Sequence, residues 1–152
     1  MPHRPLSATM EDYLEAILAL EQEQKVARVK EIARRLEVKM PSVSGALRTL
    51  KERELVNHEA YGYVTLTPQG RERAREVRAR HEAIVSFLAT ILQVSAVEAE
   101  REACELEHAL SAEALHRLVL LTSFLQEHPG LYVEWLEYLE QGRPALVLDV
   151  SP

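Results

Sequence analysis

Cysteine is almost absent from this chain, with Cys104 alone among 152 residues, so an internal disulfide framework is excluded and stability must come from packing. Glycine is scarce too, at 5 residues, and there are only 2 Phe and 1 Trp, a shortage of turn formers and β-favouring aromatics that argues against an all-β architecture. No apolar run approaches the roughly 20 residues that cross a bilayer, and Met1-Pro2-His3-Arg4-Pro5 leads into no signal-peptide core. A cytoplasmic protein with no membrane partner is the expectation. An intermolecular disulfide through Cys104 is disfavoured in that reducing compartment. What is abundant is Ala, Leu, Glu and Arg, with 47% hydrophobic residues, which predicts a mainly α globular protein with one sizeable core or two small ones.

The net charge of −6 conceals a division. Residues 24 to 80 carry 14 Lys/Arg against 7 Asp/Glu, whereas the remainder carries 4 against 17. A basic piece joined to an acidic one suggests a polyanion-binding module attached to something with another purpose, although solvated Arg-rich helices give the same count.

Met10, Tyr13, Leu14, Ile17 and Leu18 recur at helical spacing, with Ser7 or Thr9 as N-cap, and predict a first helix to about Glu23. Val29, Ile32, Ala33 and Leu36 predict a short second helix, and Pro41 fits the first turn of a third whose buried stripe is Val43, Leu47 and Leu50. From Leu55-Val56 to Tyr63-Val64-Thr65-Leu66, with Gly62 near the turn, the pattern is a β-hairpin. Thr67-Pro68 then opens a long helix to about Leu92. Ser95 can cap a fifth helix to about Leu110 and Ser111 a sixth, stopped by His128-Pro129-Gly130, with a last helix over 131–140.

This order describes a winged helix-turn-helix with a two-stranded β wing, over residues 1–72, followed by an all-helical unit over 73–141 and a tail over 142–152. The long helix from about residue 68 bridges the two. In such a module the third helix enters the major groove of double-stranded DNA. Its exposed start offers Lys39, Pro41, Ser42 and Ser44, with Arg48 a turn further on. Lys39 and Arg48 would neutralise phosphates, Ser42 and Ser44 could bond backbone or base edges, and Pro41 could touch a thymine methyl. None is a bidentate Arg–guanine signature, so DNA shape and half-site spacing should carry much of the specificity. Helix-start capping is the competing role for the two serines.

In the acidic unit, Cys104, Glu107 and His108 fall within an arc of roughly 100° on one helix. Thiolate, carboxylate and imidazole together suit a first-row transition ion better than magnesium or calcium. Asp12 and Glu15 stand about 60° apart on a flank of the first helix away from its apolar stripe, and His81 sits midway along the bridging helix. These make six potential ligands from three helices. A metal held by them would tie the DNA reader to the second unit.

Across about residues 8 to 128 the chain resembles the metal-dependent repressors of the diphtheria toxin repressor and manganese transport regulator type. The resemblance rests on Met10-Glu11-Asp12-Tyr13-Leu14-Glu15, Met40-Pro41-Ser42-Val43-Ser44, Leu66-Thr67-Pro68-Gln69-Gly70, Arg80-His81-Glu82 and Glu102-Ala103-Cys104 followed by Glu107-His108-Ala109-Leu110-Ser111. It implies that Asp12, Glu15, His81, Cys104, Glu107 and His108 are metal ligands. Asp12 is the residue of the manganese-sensing branch and Cys104 that of the iron-sensing branch, so the implied cofactor is Mn²⁺ or Fe²⁺, with Zn²⁺ or Co²⁺ able to substitute in vitro. The iron-type ancillary site is altered: Val85 replaces a carboxylate and Glu100 a histidine, leaving Glu82 and Glu100 for a variant site. The chain looks like the short form, without an SH3-like domain.

The resulting expectation is a metal-activated transcriptional repressor of manganese or iron homeostasis genes, not an enzyme. It would bind a palindromic operator as a homodimer, for which the resemblance and the apolar surplus after Ser111 both argue. A winged-helix regulator sensing an organic ligand or an oxidant through Cys104 is the alternative. A helical metalloenzyme is the remote one, lacking paired Glu-x-x-His repeats and a nucleophile–base pair.

Overall fold

The computed structural model describes residues 6–24, 26–59 and 62–142. The tail beyond Gly142 and the residues Ala60 and Tyr61 of the hairpin lie outside them. Helix α1 (Ala8–Gln24) starts from Ser7, whose hydroxyl accepts the Met10 amide at 3.4 Å. It is followed by strand β1 (Ala27–Arg28), α2 (Val29–Arg35), α3 (Met40–Glu52), β2 (Val56–His58), β3 (Tyr63–Leu66) and α4 (Pro68–Ser86). Helices α5 (Ala96–Ala109), α6 (Ala112–Glu127) and α7 (Pro129–Glu140) complete the described chain. Among the described residues no helix is long and apolar enough to cross a membrane.

The first core is made by the apolar stripes of α1, α2 and α3 closing on the sheet, with Leu14, Ile17, Ile32, Val43, Leu47, Leu50 and Val64 fully enclosed. The wing has three strands rather than the expected two, in the order β1-β3-β2 and all antiparallel. Two residues, Ala27 and Arg28, are too few for a period-2 signal, which is why β1 is invisible in the sequence.

Helices α2 and α3 both end in a Schellman motif built on glutamate. Val38 N–H reaches Ala33 O at 3.0 Å while Glu37 adopts φ +56°, and Leu55 N–H reaches Leu50 O at 3.0 Å while Glu54 adopts φ +58°. These are left-handed positions that glycine ordinarily fills. Lys39, not a serine, occupies the N-cap of α3. Ser42 and Ser44 therefore lie inside the helix, with Ser44 Oγ donating to Met40 O at 3.2 Å. The capping role weighed for them does not apply.

The hinge between wing and long helix is tight. Thr67 caps α4, accepting the Gly70 amide at 3.0 Å while its hydroxyl donates to Glu54 O at 2.7 Å. A β-carbon on Gly70 would meet Leu55 O at 1.8 Å, so only glycine allows this approach. The long helix keeps α-geometry to Ser86 and then widens into a π-helical turn over Phe87–Ile91. Carbonyls freed there are taken by α7: the Tyr132 hydroxyl donates to Thr90 O at 2.8 Å and Trp135 Nε1 to Ile91 O at 2.6 Å. Pro129 starts α7 directly after α6, two residues earlier than the sequence pattern placed it. Ile84, Leu88, Ala99 and Ala103 form the second, smaller core between α4 and α5.

Candidate metal centre

The site lies where α1 of the winged module meets α4 and α5. Helix α5 is capped by Ser95, whose Oγ accepts the Glu98 amide at 3.3 Å, and it buries Ala99, Ala103 and Glu107 against α4. Because Glu107 follows two alanines at i+4 and i+8 on that buried stripe, its carboxylate is carried inward; the residue is 4% exposed. His108 projects beside it toward α1. Asp12, Glu107 and His108 each offer a ligand atom, and these atoms all lie within 4.8 Å of one another. His108 Nε2 is 3.0 Å from Asp12 Oδ1 and 3.2 Å from Glu107 Oε1.

From α4, His81 joins the same carboxylate, with Nδ1 2.9 Å from Glu107 Oε2. Its Nε2 lies 2.8 Å from Glu100 Oε2. The imidazole pKa is pushed up to about 9, chiefly by the hydrogen bond to Glu107, against a desolvation penalty, with Glu100 and Glu15 helping. Glu15 is raised by burial first and then by Glu107, with Asp12 adding and His81 and Arg78 opposing. Cys104 is exposed as a residue and stands outside the Asp12–Glu107–His108 trio. Partial burial of its thiol, followed by the charges of Glu107, Glu15, Asp12 and Glu100, pushes the thiol pKa up.

For Glu15 and Cys104 burial is the larger cause and the neighbouring carboxylates add to it, whereas for His81 the hydrogen bond to Glu107 prevails over burial, so a proton on His81 serves as the counter-charge. A divalent ion would supply that charge, and mixed N, O and S donors suit a transition ion. The donor set therefore fits the group that the sequence implies. The two residues considered for an ancillary site diverge: Glu100 reaches His81, whereas Glu82 pairs with Arg78 at 2.9 Å along α4.

Glu11 lies outside the ligand set expected from the sequence. This residue is 5% exposed, and its carboxylate takes Arg73 Nη2 at 2.6 Å and Arg80 Nη2 at 2.8 Å. Glu21 is similarly buried, accepting the Leu66 amide at 2.8 Å and pairing with Arg71 at 2.7 Å. The signal was present: Glu11, Leu14, Leu18 and Glu21 share a heptad-like stripe, so two acids occupy apolar positions. Part of the basic excess of residues 24–80 is thus spent inside the protein, with Arg71, Arg73 and Arg80 binding α1. Lys39, Pro41, Ser42, Ser44 and Arg48 are exposed together along α3, clear of these pairs.

A winged helix-turn-helix whose first helix shares a nest of metal-type donors with a helical second unit defines a metal-responsive DNA-binding regulator. Residues 5–64 match the model of the iron dependent repressor N-terminal DNA binding domain, and residues 67–133 that of the iron dependent repressor metal binding and dimerisation domain. An uncharacterized HTH-type transcriptional regulator of Methanocaldococcus jannaschii is 38% identical over 114 residues, covering 74% of this chain and 91% of the relative. The HTH-type transcriptional regulator MntR of Listeria welshimeri is 32% identical over 136 residues, covering 90% and 94%. Among solved structures, a manganese-dependent transcriptional repressor in complex with manganese matches with TM-score 0.68 and 34% identity over 76% of this chain. T. acidophilum IdeR matches with TM-score 0.70 and 25% identity over 79%. The chain spans 53% and 55% of those two structures' lengths. The chain belongs to the iron-dependent repressor family, the metal-dependent transcriptional repressors that include MntR and IdeR.

Proposed function

We propose that this chain is a cytoplasmic, metal-activated repressor of manganese or iron homeostasis genes, binding a roughly palindromic operator as a homodimer. The observation that carries this is the convergence of Asp12 from the DNA-binding unit with Glu107 and His108 from the second unit. Asp12, Glu15, His81, Cys104, Glu107 and His108 are the ligands in this reading, and Glu100 holds the outer nitrogen of His81. A divalent ion held by these residues would supply the positive charge that the carboxylates lack, and the residues that would hold it come from α1, α4 and α5. With those helices linked, Asp12 and Glu15 fix α1, and through the shared core they fix α3 and the wing at a spacing suited to two half-sites. Lys39 and Arg48 then neutralise phosphates, while Pro41, Ser42 and Ser44 face the groove.

The oxidant-sensing alternative needs a thiol poised as thiolate, and the raised pKa of Cys104 runs the other way. No substrate turnover is required by any part of the reading. The test is a titration of Mn²⁺, Fe²⁺ under anaerobic conditions and Zn²⁺ against binding to the DNA upstream of the protein's own gene and of metal transporters, at fixed salt, with chelator as control. Operator binding should be tight only with metal. Binding indifferent to chelator would overturn the proposal, and unchanged metal stimulation in Cys104→Ala would remove Cys104 from the ligand set.

A further inference from the structure

The strongest unassigned feature is the buried carboxylate of Glu11. It sits one residue before Asp12, so it points away from Asp12 by about 100° and into the junction of α1, α4 and α5. Arg73 takes Oε1 and Arg80 takes Oε2, two guanidinium groups about two turns apart on α4 closing on one carboxylate. Both oxygens of this buried carboxylate therefore have a guanidinium partner. The same Oε2 lies 3.3 Å from His108 Nδ1, while the opposite nitrogen of that ring faces Asp12 and Glu107. The imidazole is therefore bracketed, with a non-ligand acid behind and candidate ligands in front.

We propose that Glu11 is a positioning residue for the metal centre: it accepts the Nδ1 proton of His108, directs the Nε2 lone pair at the ion, and is itself held by Arg73 and Arg80. A neutral histidine has one protonated nitrogen, and the acceptor placed against it selects which. A carboxylate behind a ligand imidazole also raises its donor strength, and losing such a partner typically costs about 10- to 100-fold in metal affinity. Because Glu11 belongs to the DNA-binding unit and both arginines to the bridging helix, the orientation of His108 is tied to the seating of α1 on α4.

This inference rests on His108 being a ligand, and the test separates the two claims. Mn²⁺ and Zn²⁺ affinities are measured by competition with a chromophoric chelator for the full-length wild type, Glu11→Gln, His108→Ala and the double variant, with circular dichroism as the fold control. His108→Ala should weaken binding strongly, Glu11→Gln by roughly 10- to 100-fold, and Glu11→Gln should add less than about 3-fold once His108 is gone. In the Zn²⁺-loaded chain the His108 Nδ1 proton resonance should move upfield in Glu11→Gln, a change that loss of a merely structural ion pair would not produce. Equal losses from Glu11→Gln with and without His108 would overturn the positioning role. No loss from His108→Ala would overturn the ligand assignment instead. If Glu11→Gln does not fold, the same cycle is run with Glu11→Asp, which keeps the charge for both arginines but withdraws the carboxylate from Nδ1.

Discussion

In the proposed ligand set, His81 and Cys104 bring protons to the site that a bound ion would have to displace. Without metal, His81 is held charged up to about pH 9 and the Cys104 thiol is held protonated. Coordination needs neutral imidazole and thiolate, so metal uptake near pH 7 should release about two protons, and affinity should climb as pH rises toward 9. Calorimetry in two buffers of different ionisation enthalpy reads that number, which should fall by about one in His81→Ala. The metal-free fold has the matching dependence. His81 has a folded pKa above its unfolded value of 6.5, so its contribution is complete below that value and is lost as pH rises through about 9. Melting of the chelator-treated protein should therefore decline over this interval in wild type and be flatter in His81→Gln. Asp12, Glu107 and His108, which the structure draws together, were legible as chemistry-bearing residues at helical spacing on α1 and α5. Glu11 was not, since its importance depends on arginines more than 60 residues away that no local pattern connects to it.

At the scale of elements, the shortage of glycine has a measurable cost. Glu37 and Glu54 adopt left-handed backbone that penalises any side chain by about 1 kcal/mol. Replacing the exposed Glu54 by Gly should stabilise the fold by about 0.5–1 kcal/mol, raising the melting temperature by roughly 1–4 °C. Gly70→Ala should do the reverse by about 1–3 kcal/mol or more, because its new methyl would strike the Leu55 carbonyl and pry α4 from the end of α3. Both are read from thermal or urea unfolding of the metal-free protein. Helix starts at Thr67, Ser95 and Ser111 were legible, since each pairs a capping hydroxyl with an apolar periodicity behind it. Neither β1 nor the π-helical turn had a sequence signature: the strand is held by its neighbour β3, and the widened turn keeps the same apolar residues facing inward as an ordinary helix would.

For the whole molecule, the apolar face of α6 and α7 matters most. Leu120, Leu121, Phe124, Leu131 and Val133 lie exposed on α6 and α7, within the segment matching the metal binding and dimerisation domain. Leu120→Glu combined with Phe124→Glu should shift the protein toward monomer in analytical ultracentrifugation, because unpaired charges at a buried interface cost several kcal/mol, roughly 3–5. On the palindromic operator proposed above, affinity should fall with it, since one reader cannot span two half-sites. Coupling between the metal and DNA sites is reciprocal, so operator DNA should tighten metal binding by the factor by which metal tightens operator binding.

The seat of α7 on the π-helical turn has a practical corollary. Trp135 is the chain's single tryptophan, and its indole N–H is bonded to Ile91 O at the end of the long helix. Its fluorescence is consequently a private channel on that junction, blind to the reader, which contains none. A metal titration followed by this emission alongside far-ultraviolet circular dichroism would tell whether the far end of α4 responds when the proposed ligands beside His81 are engaged, with no label attached.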